Sequence, residues 1–152
     1  MKLAEALLLR ADSQKRIEQL KSRLLGNAKI QEGEQPAENP QELLGELQSV
    51  ADQLVDLIKR INKTNSTTLF VDGQSIADAL AERDVLVLRR GAYSDLAMYA
   101  SMRHDRVTRS EVKYVATVNV VEIQKQSDEL AKKYRELDAR IQELNWKTDL
   151  VE

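Results

Sequence analysis

The sequence has no cysteine, which excludes disulfides, thiol chemistry and cysteine-based metal sites. It has one histidine, His104, so a metal site would have to be built almost wholly from carboxylates. Aromatic residues make up 4% of the chain and charged residues 32%. That mix suits long, exposed helices over a thin core better than a globular enzyme with a deep pocket. The formal net charge of −2 supplies no field that would steer nucleic acid or a membrane to the whole molecule. No apolar run approaches membrane-spanning length. The nearest, at Met1 to Leu9, is interrupted by Glu5 and ended by Arg10, too short and too charged for a secretory signal or a spanning helix. The expected setting is therefore cytoplasmic. No nucleophile elbow, phosphate loop, zinc motif or dinucleotide fingerprint is present, so no cofactor, no metal and no enzymatic activity are expected.

What is present is helical periodicity. From Asn119 to Asn145 two rows recur at seven-residue spacing. One is Ile123, Leu130, Leu137 and Leu144, and the other is Val120, Ser127, Tyr134, Ile141 and Thr148. Apolar residues dominate both rows and charged or amide residues fill the gaps, the pattern of a helix packed lengthwise on others. Asn119 with Glu122 three residues later makes a capping pair at its start.

Residues 1–25 form a first helix, with Leu3, Ala6, Leu7, Ile17, Leu20 and Leu24 on one face and Arg10 and Ser13 as polar breaks. Gly26-Asn27 ends it. Residues 26–40 are a linker with Gly33, Pro36 and Pro40, the last in the first turn of the next helix with Asn39 as its cap. A second helix at 41–62 has the cleanest seam, Leu43, Leu47, Val50, Leu54, Leu57 and Ile61. It is acidic where the first helix is basic, which suits an antiparallel hairpin.

The Asn62 to Ser66 stretch reads as a turn, and 67–71 as a short strand ended by Asp72-Gly73. A third helix spans 75–101, with a buried stripe at Ile76, Leu80, Val87 and Ala97. Gly91 inside it calls for a kink or close packing against a neighbour. Residues 111–118 read as an extended strand able to pair with 67–71; the alternative is an early start of the last helix at Ser110. The expected fold is mainly α: one domain over 1–152, an elongated bundle of about four helices with coiled-coil-like seams and one short strand pair. A thin core of this kind finishes its burial by self-association, so a homo-oligomer is expected.

Two stretches carry a family resemblance. One is Thr108-Arg109-Ser110-Glu111-Val112-Lys113, continuing through Thr117-Val118-Asn119-Val120; the other is Tyr134-Arg135-Glu136-Leu137-Asp138 through Ile141-Gln142-Glu143-Leu144-Asn145-Trp146. They resemble a family of small, uncharacterised bacterial helical proteins, some of which are named septicolysin. The resemblance implies a helical fold without an established activity, and the name implies a membrane-active toxin. No catalytic residues carry over from it.

The chemical signals each have a plain structural reading beside the functional one. Arg10, Arg83 and Arg90 lie on or beside apolar seams, where long stems pack on a core and charged heads reach water or a carboxylate. Their alternative role is a guanidinium cluster for a small anion or nucleotide, with Asp84 and Glu5 as internal counter-charges. His104 with Asp105 and Asp95 reads as a solvated loop histidine rather than an acid–base group. Arg103, Arg106 and Arg109 form a local basic cluster without interleaved aromatics, so the nucleic-acid signal is weak. Trp146 reads as a packing anchor, with ligand stacking as the lesser reading. The best functional expectation is a non-enzymatic structural or interaction protein.

Overall fold

The computed structural model describes residues 1–102 and 112–152. Among them are four helices and one short antiparallel strand pair: α1 (Leu3–Gly26), α2 (Pro40–Thr67), β1 (Leu69–Val71), β2 (Gln74–Ser75), α3 (Ile76–Ser101) and α4 (Val120–Lys147). The fold is mainly α, as expected. The chain divides into two compact units, Met1–Ile76 with Gln142–Glu152, and Ala77–Ile141.

In the first unit α1 and α2 form a hairpin, and the charge asymmetry between them is used directly. Arg16 of α1 donates to Glu46 of α2, and Arg23 donates to Glu38 just before α2. Later residues of α1 thus meet earlier residues of the following segment, the antiparallel order. The connection is closed by Asn27, whose side-chain amide donates to the Arg23 carbonyl and whose Oδ1 accepts from the Glu38 backbone N–H at 3.0 Å. Asn39 caps α2 through Oδ1, which accepts from the Gln41 N–H at 2.9 Å, and Pro40 occupies the first turn, where its missing N–H costs nothing. Leu3, Ala6 and Leu20 of α1 are buried with Leu43 and Ile61 of α2, while Leu47, Val50, Leu54 and Leu57 are half-buried.

The hydrogen bond from Arg23 holds the Glu38 carboxyl below the usual carboxylate range; burial opposes it, and the attraction of the Arg23 charge adds a smaller lowering. A depressed folded pKa means that the interaction contributes fully above the unfolded-state pKa and is lost as pH falls through the folded one. Glu38→Gln is therefore expected to lower stability slightly at neutral pH and to flatten the acid side of the stability profile, the two proteins converging at low pH. Urea midpoints from pH 7 down to pH 2 check this; parallel acid limbs for the two proteins would contradict it.

The α2 helix runs five residues beyond the expected end at 62. Asn62 to Ser66 is turn-like in composition, yet it stays helical because Ile61 and Thr64 are buried there. The hydroxyls of Thr64 and Thr67 donate back to the Arg60 and Lys63 carbonyls four residues earlier, at 2.8 Å each. The expected strand at 67–71 forms as β1, but its partner differs. It pairs with β2, Leu69 opposite Ser75 and Val71 opposite Gln74, across the Asp72-Gly73 turn. Both turn residues have positive φ, 26° and 79°, the conformation for which Asp-Gly is suited.

The chain ends strap the same unit. The Leu3 N–H donates to the Thr148 carbonyl and the Leu150 N–H to the Met1 carbonyl, each at 2.9 Å. Val151 donates its N–H to Thr64 Oγ1 at 3.0 Å and accepts from Arg60 Nε at 3.0 Å. Lys2 pairs with Asp149 at 2.8 Å. Trp146, expected as a packing anchor, is exposed; Asn145 beside it is buried instead.

The second unit consists of α3 and α4 up to Ile141. Asn119 caps α4 as expected, its Oδ1 accepting from the Glu122 N–H at 3.1 Å. The α4 rows hold: Ser127, Leu130 and Ile141 are buried, and Ile123, Tyr134 and Leu137 are half-buried. Of the expected strand at 111–118, residue 111 lies outside the described residues, and 112–118 form neither strand nor helix. Val112, Tyr114 and Val115 are exposed, so no burial drives that segment into a sheet, and β1 is already paired with β2. In α3 the expected stripe is partly corrected. Ile76 and Ala97 are buried and Leu80 is half-buried, as is usual for a core-facing side, but Val87 is exposed; Ala79 is buried as well.

Close packing does not explain Gly91, because a Cβ built there meets nothing within 4 Å. The same holds at Gly45 in α2. Gly45→Ala is expected to stabilise the protein by about 0.5–1 kcal/mol through reduced freedom of the unfolded chain. A lowered melting temperature would contradict the open surroundings.

Candidate functional site

An open groove of about 1090 Å³ lies between α3 and α4. Ala81, Val85 and Leu86 of α3 and Leu137 and Ala139 of α4 give it an apolar floor. Its rim is charged, with Glu82 and Arg89 on α3 and Lys133, Glu136 and Arg140 on α4. Helical spacing explains the arrangement. Residues 81, 85 and 89 of α3 share one face, as do 133, 137 and 140 of α4, so each helix presents apolar residues with charges at the edge.

The sequence-expected arginines stand elsewhere. Arg83, half-buried, donates from Nη1 to Asp138 Oδ1 of α4 at 2.9 Å, and its Nε lies 3.8 Å from Asp84. Arg90 is exposed on α3, and Arg10 is half-buried on α1 in the first unit. None of the three lines the groove. Of the expected counter-charges, Asp84 does neighbour Arg83, whereas Glu5 accepts from the Lys2 backbone N–H at 2.7 Å and serves as a helix cap. His104, Asp105, Arg103, Arg106 and Arg109 lie outside the described residues, and Asp95 is exposed on α3. Among the described residues, no three His, Asp or Glu side chains form a group able to hold a metal ion. None of the helices is long and apolar enough to cross a membrane, again among the described residues.

Two residues of the groove floor, Ala81 and Val85, also begin a second apolar stripe along α3. Ala81, Val85, Leu88, Ala92, Leu96 and Tyr99 follow one another at spacings of four, three, four, four and three residues. At 100° per residue they share one face, roughly opposite the side that carries buried Ala79 and Ala97. All six are exposed: Val85 by 52%, Leu88 by 72%, Leu96 by 42% and Tyr99 by 70%. A helix that is apolar on two faces is characteristic of one covered on both.

The sequence model of a family described as "Family of unknown function (DUF6847)" matches residues 10–150, nearly the whole chain. The chain belongs to this family. A crystal structure of a functionally unknown conserved protein from Corynebacterium diphtheriae is 52% identical to it, over 99% of each chain, and superposes with a TM-score of 0.94. The DUF6847 fold is thus shared across nearly the full length of the two proteins. No curated protein matches the chain. Neither the family description nor that of the crystal structure carries the septicolysin name, and neither assigns an activity. The groove and the exposed α3 stripe of this DUF6847 protein both lie in the second unit.

Proposed function

We propose that this DUF6847 protein is a non-enzymatic structural or interaction protein that acts as a homo-oligomer, in a cytoplasmic setting. The observation that carries the reading is the exposed apolar stripe of α3 from Ala81 to Tyr99. Its six side chains present on the order of 500 Å² of surface, at the upper end of what the largest apolar patch of a monomer reaches. That surface gains nothing when the lone chain folds, and covering it in an assembly turns the same area into binding free energy.

The alternative of small-anion or nucleotide binding by Arg10, Arg83 and Arg90 has less behind it. Arg83 is already engaged by Asp138, and Arg90 points its charge into solvent-accessible surroundings. Calorimetric titration with inorganic phosphate addresses it; saturable binding lost in Arg83→Ala would favour it over the interaction reading. The membrane-active alternative is addressed by dye release from liposomes, where leakage would favour it.

Sedimentation velocity over a hundredfold range of protein concentration tests the main proposal. A species heavier than the 17.3 kDa chain is expected, with a population that grows with concentration. A single 17.3 kDa species at every concentration would overturn it.

A further inference from the structure

We infer that two copies of this chain associate along the outer stripe of α3, with the two helices parallel, so that Asp84 of each copy faces the partner's Arg89. The inference rests on the self-association reading above and specifies its surface and direction. Spacings of four and three residues are those of side chains that interlock between two helices, and the extra four-residue step at Ala92 to Leu96 keeps the stripe nearly straight along α3. Val85 and Leu88 head the interlocking pairs in the first half, Leu96 and Tyr99 in the second. Ala81 and Ala92 between them let the backbones approach.

The occupant is identified by charge. On one flank of the stripe stand Asp84 and Asp95; on the other stand Glu82 and Arg89, all exposed, and in a parallel pair Glu82 meets the partner's uncharged Ala77. In a parallel pair the residue just before a seam position meets the residue five further along on the partner. Asp84 then faces the partner's Arg89, and two-fold symmetry makes the contact twice. In an antiparallel pair like flanks meet, which sets Asp84 against the partner's Asp95. The charges thus favour a second copy in the parallel direction and disfavour the reverse. Asp84 is available for this role, since its side chain is 74% exposed and its internal contact to Arg83 is a long 3.8 Å. With the flanking stems added, the face approaches the roughly 800 Å² per partner of a standard interface.

The test uses the full chain and measures the dimer dissociation constant by sedimentation. Asp84→Arg is expected to weaken the dimer about tenfold, by setting Arg against the partner's Arg89. The double variant Asp84→Arg with Arg89→Asp is expected to restore it to within about threefold of the wild type. An antiparallel dimer gives the opposite sign for Asp84→Arg, which would then face the partner's Asp95 and tighten the assembly. Because the chain has no cysteine, Val85→Cys supplies a unique probe. Under mild oxidation it is expected to form a disulfide-linked dimer, since identical residues meet across a parallel seam. These side chains are exposed in the single chain, so the variants should fold, and unchanged circular dichroism confirms it. A wild-type dimer indifferent to Asp84→Arg and uncrosslinked at Val85→Cys would overturn this surface while leaving self-association standing. A wild-type monomer at all concentrations would overturn both.

Discussion

Replacing Ile61 with Ala is expected to lower stability by about 2–5 kcal/mol, the range for truncating a fully buried aliphatic side chain. Ile61 has no exposed surface and sits in the last third of α2, one turn before Thr64, which is equally buried. The cost has two parts. Three carbons lose their transfer from water, and the neighbours cannot collapse fully into the space. Leu54, on the same α2 seam, is only half-buried and should cost clearly less when changed to Ala. Equilibrium urea unfolding of the two variants separates the cases. Equal costs, or a cost below about 1 kcal/mol for Ile61→Ala, would show that the unit is not packed around this side chain.

Thr64→Val is expected to cost about 1–3 kcal/mol although it keeps the side-chain volume. The Thr64 hydroxyl donates to the Arg60 carbonyl at 2.8 Å and accepts from the Val151 N–H at 3.0 Å. The Arg60 carbonyl keeps its helical surroundings after the change. The Val151 N–H loses its acceptor, and an unpaired donor in a part-buried place carries the desolvation penalty. Thr64→Ser keeps the hydroxyl and should retain the strap, giving up only a buried methyl group. Hydrogen exchange gives an independent readout: the Val151 amide should exchange much faster in Thr64→Val and little faster in Thr64→Ser. Equal exchange in wild type and Thr64→Val would contradict the role assigned to this hydroxyl.

How much of this was legible in the sequence follows from the range of each interaction. The Asn39-Pro40 and Asn119 starts were readable because a cap is a contact over two or three residues. The seams of α2 and α4 were readable because one apolar face per helix leaves one answer. The end of α2 was misread since Asn62 to Ser66 has turn composition, while Thr64 belongs to a contact with Val151, 87 residues away. The Asp72-Gly73 turn is legible, but the two-residue strand Gln74–Ser75 after it is too short to show as a strand by pattern. The β-branched residues at 111–118 give a stronger strand pattern than Gln74–Ser75, yet β1 pairs with the adjacent segment.

The candidate site was less legible for the same reason. Arg83 was singled out, yet its partner Asp138 lies 55 residues on and no local pattern points to it. The α3 helix has two apolar stripes in its sequence, and periodicity alone cannot say which one is covered within the chain. Ile76, Leu80 and Ala97 lie on the covered side, and Val87, on that same side by spacing, is the residue that differs. Only burial shows Ala79 and Ala97 covered and Leu88 and Tyr99 open.

The most direct test of the account is the solution mass of the wild type beside that of Leu88→Glu, by light scattering on a size-exclusion column at the same concentration. Leu88 is 72% exposed, so the substitution should leave the fold of the single chain intact while placing a charge in the centre of the proposed seam. The expected result is a wild type at twice the 17.3 kDa chain mass and a variant at 17.3 kDa. A wild type and a variant of equal mass, whether both single or both assembled, would contradict the claim that the outer face of α3 joins two copies of this chain.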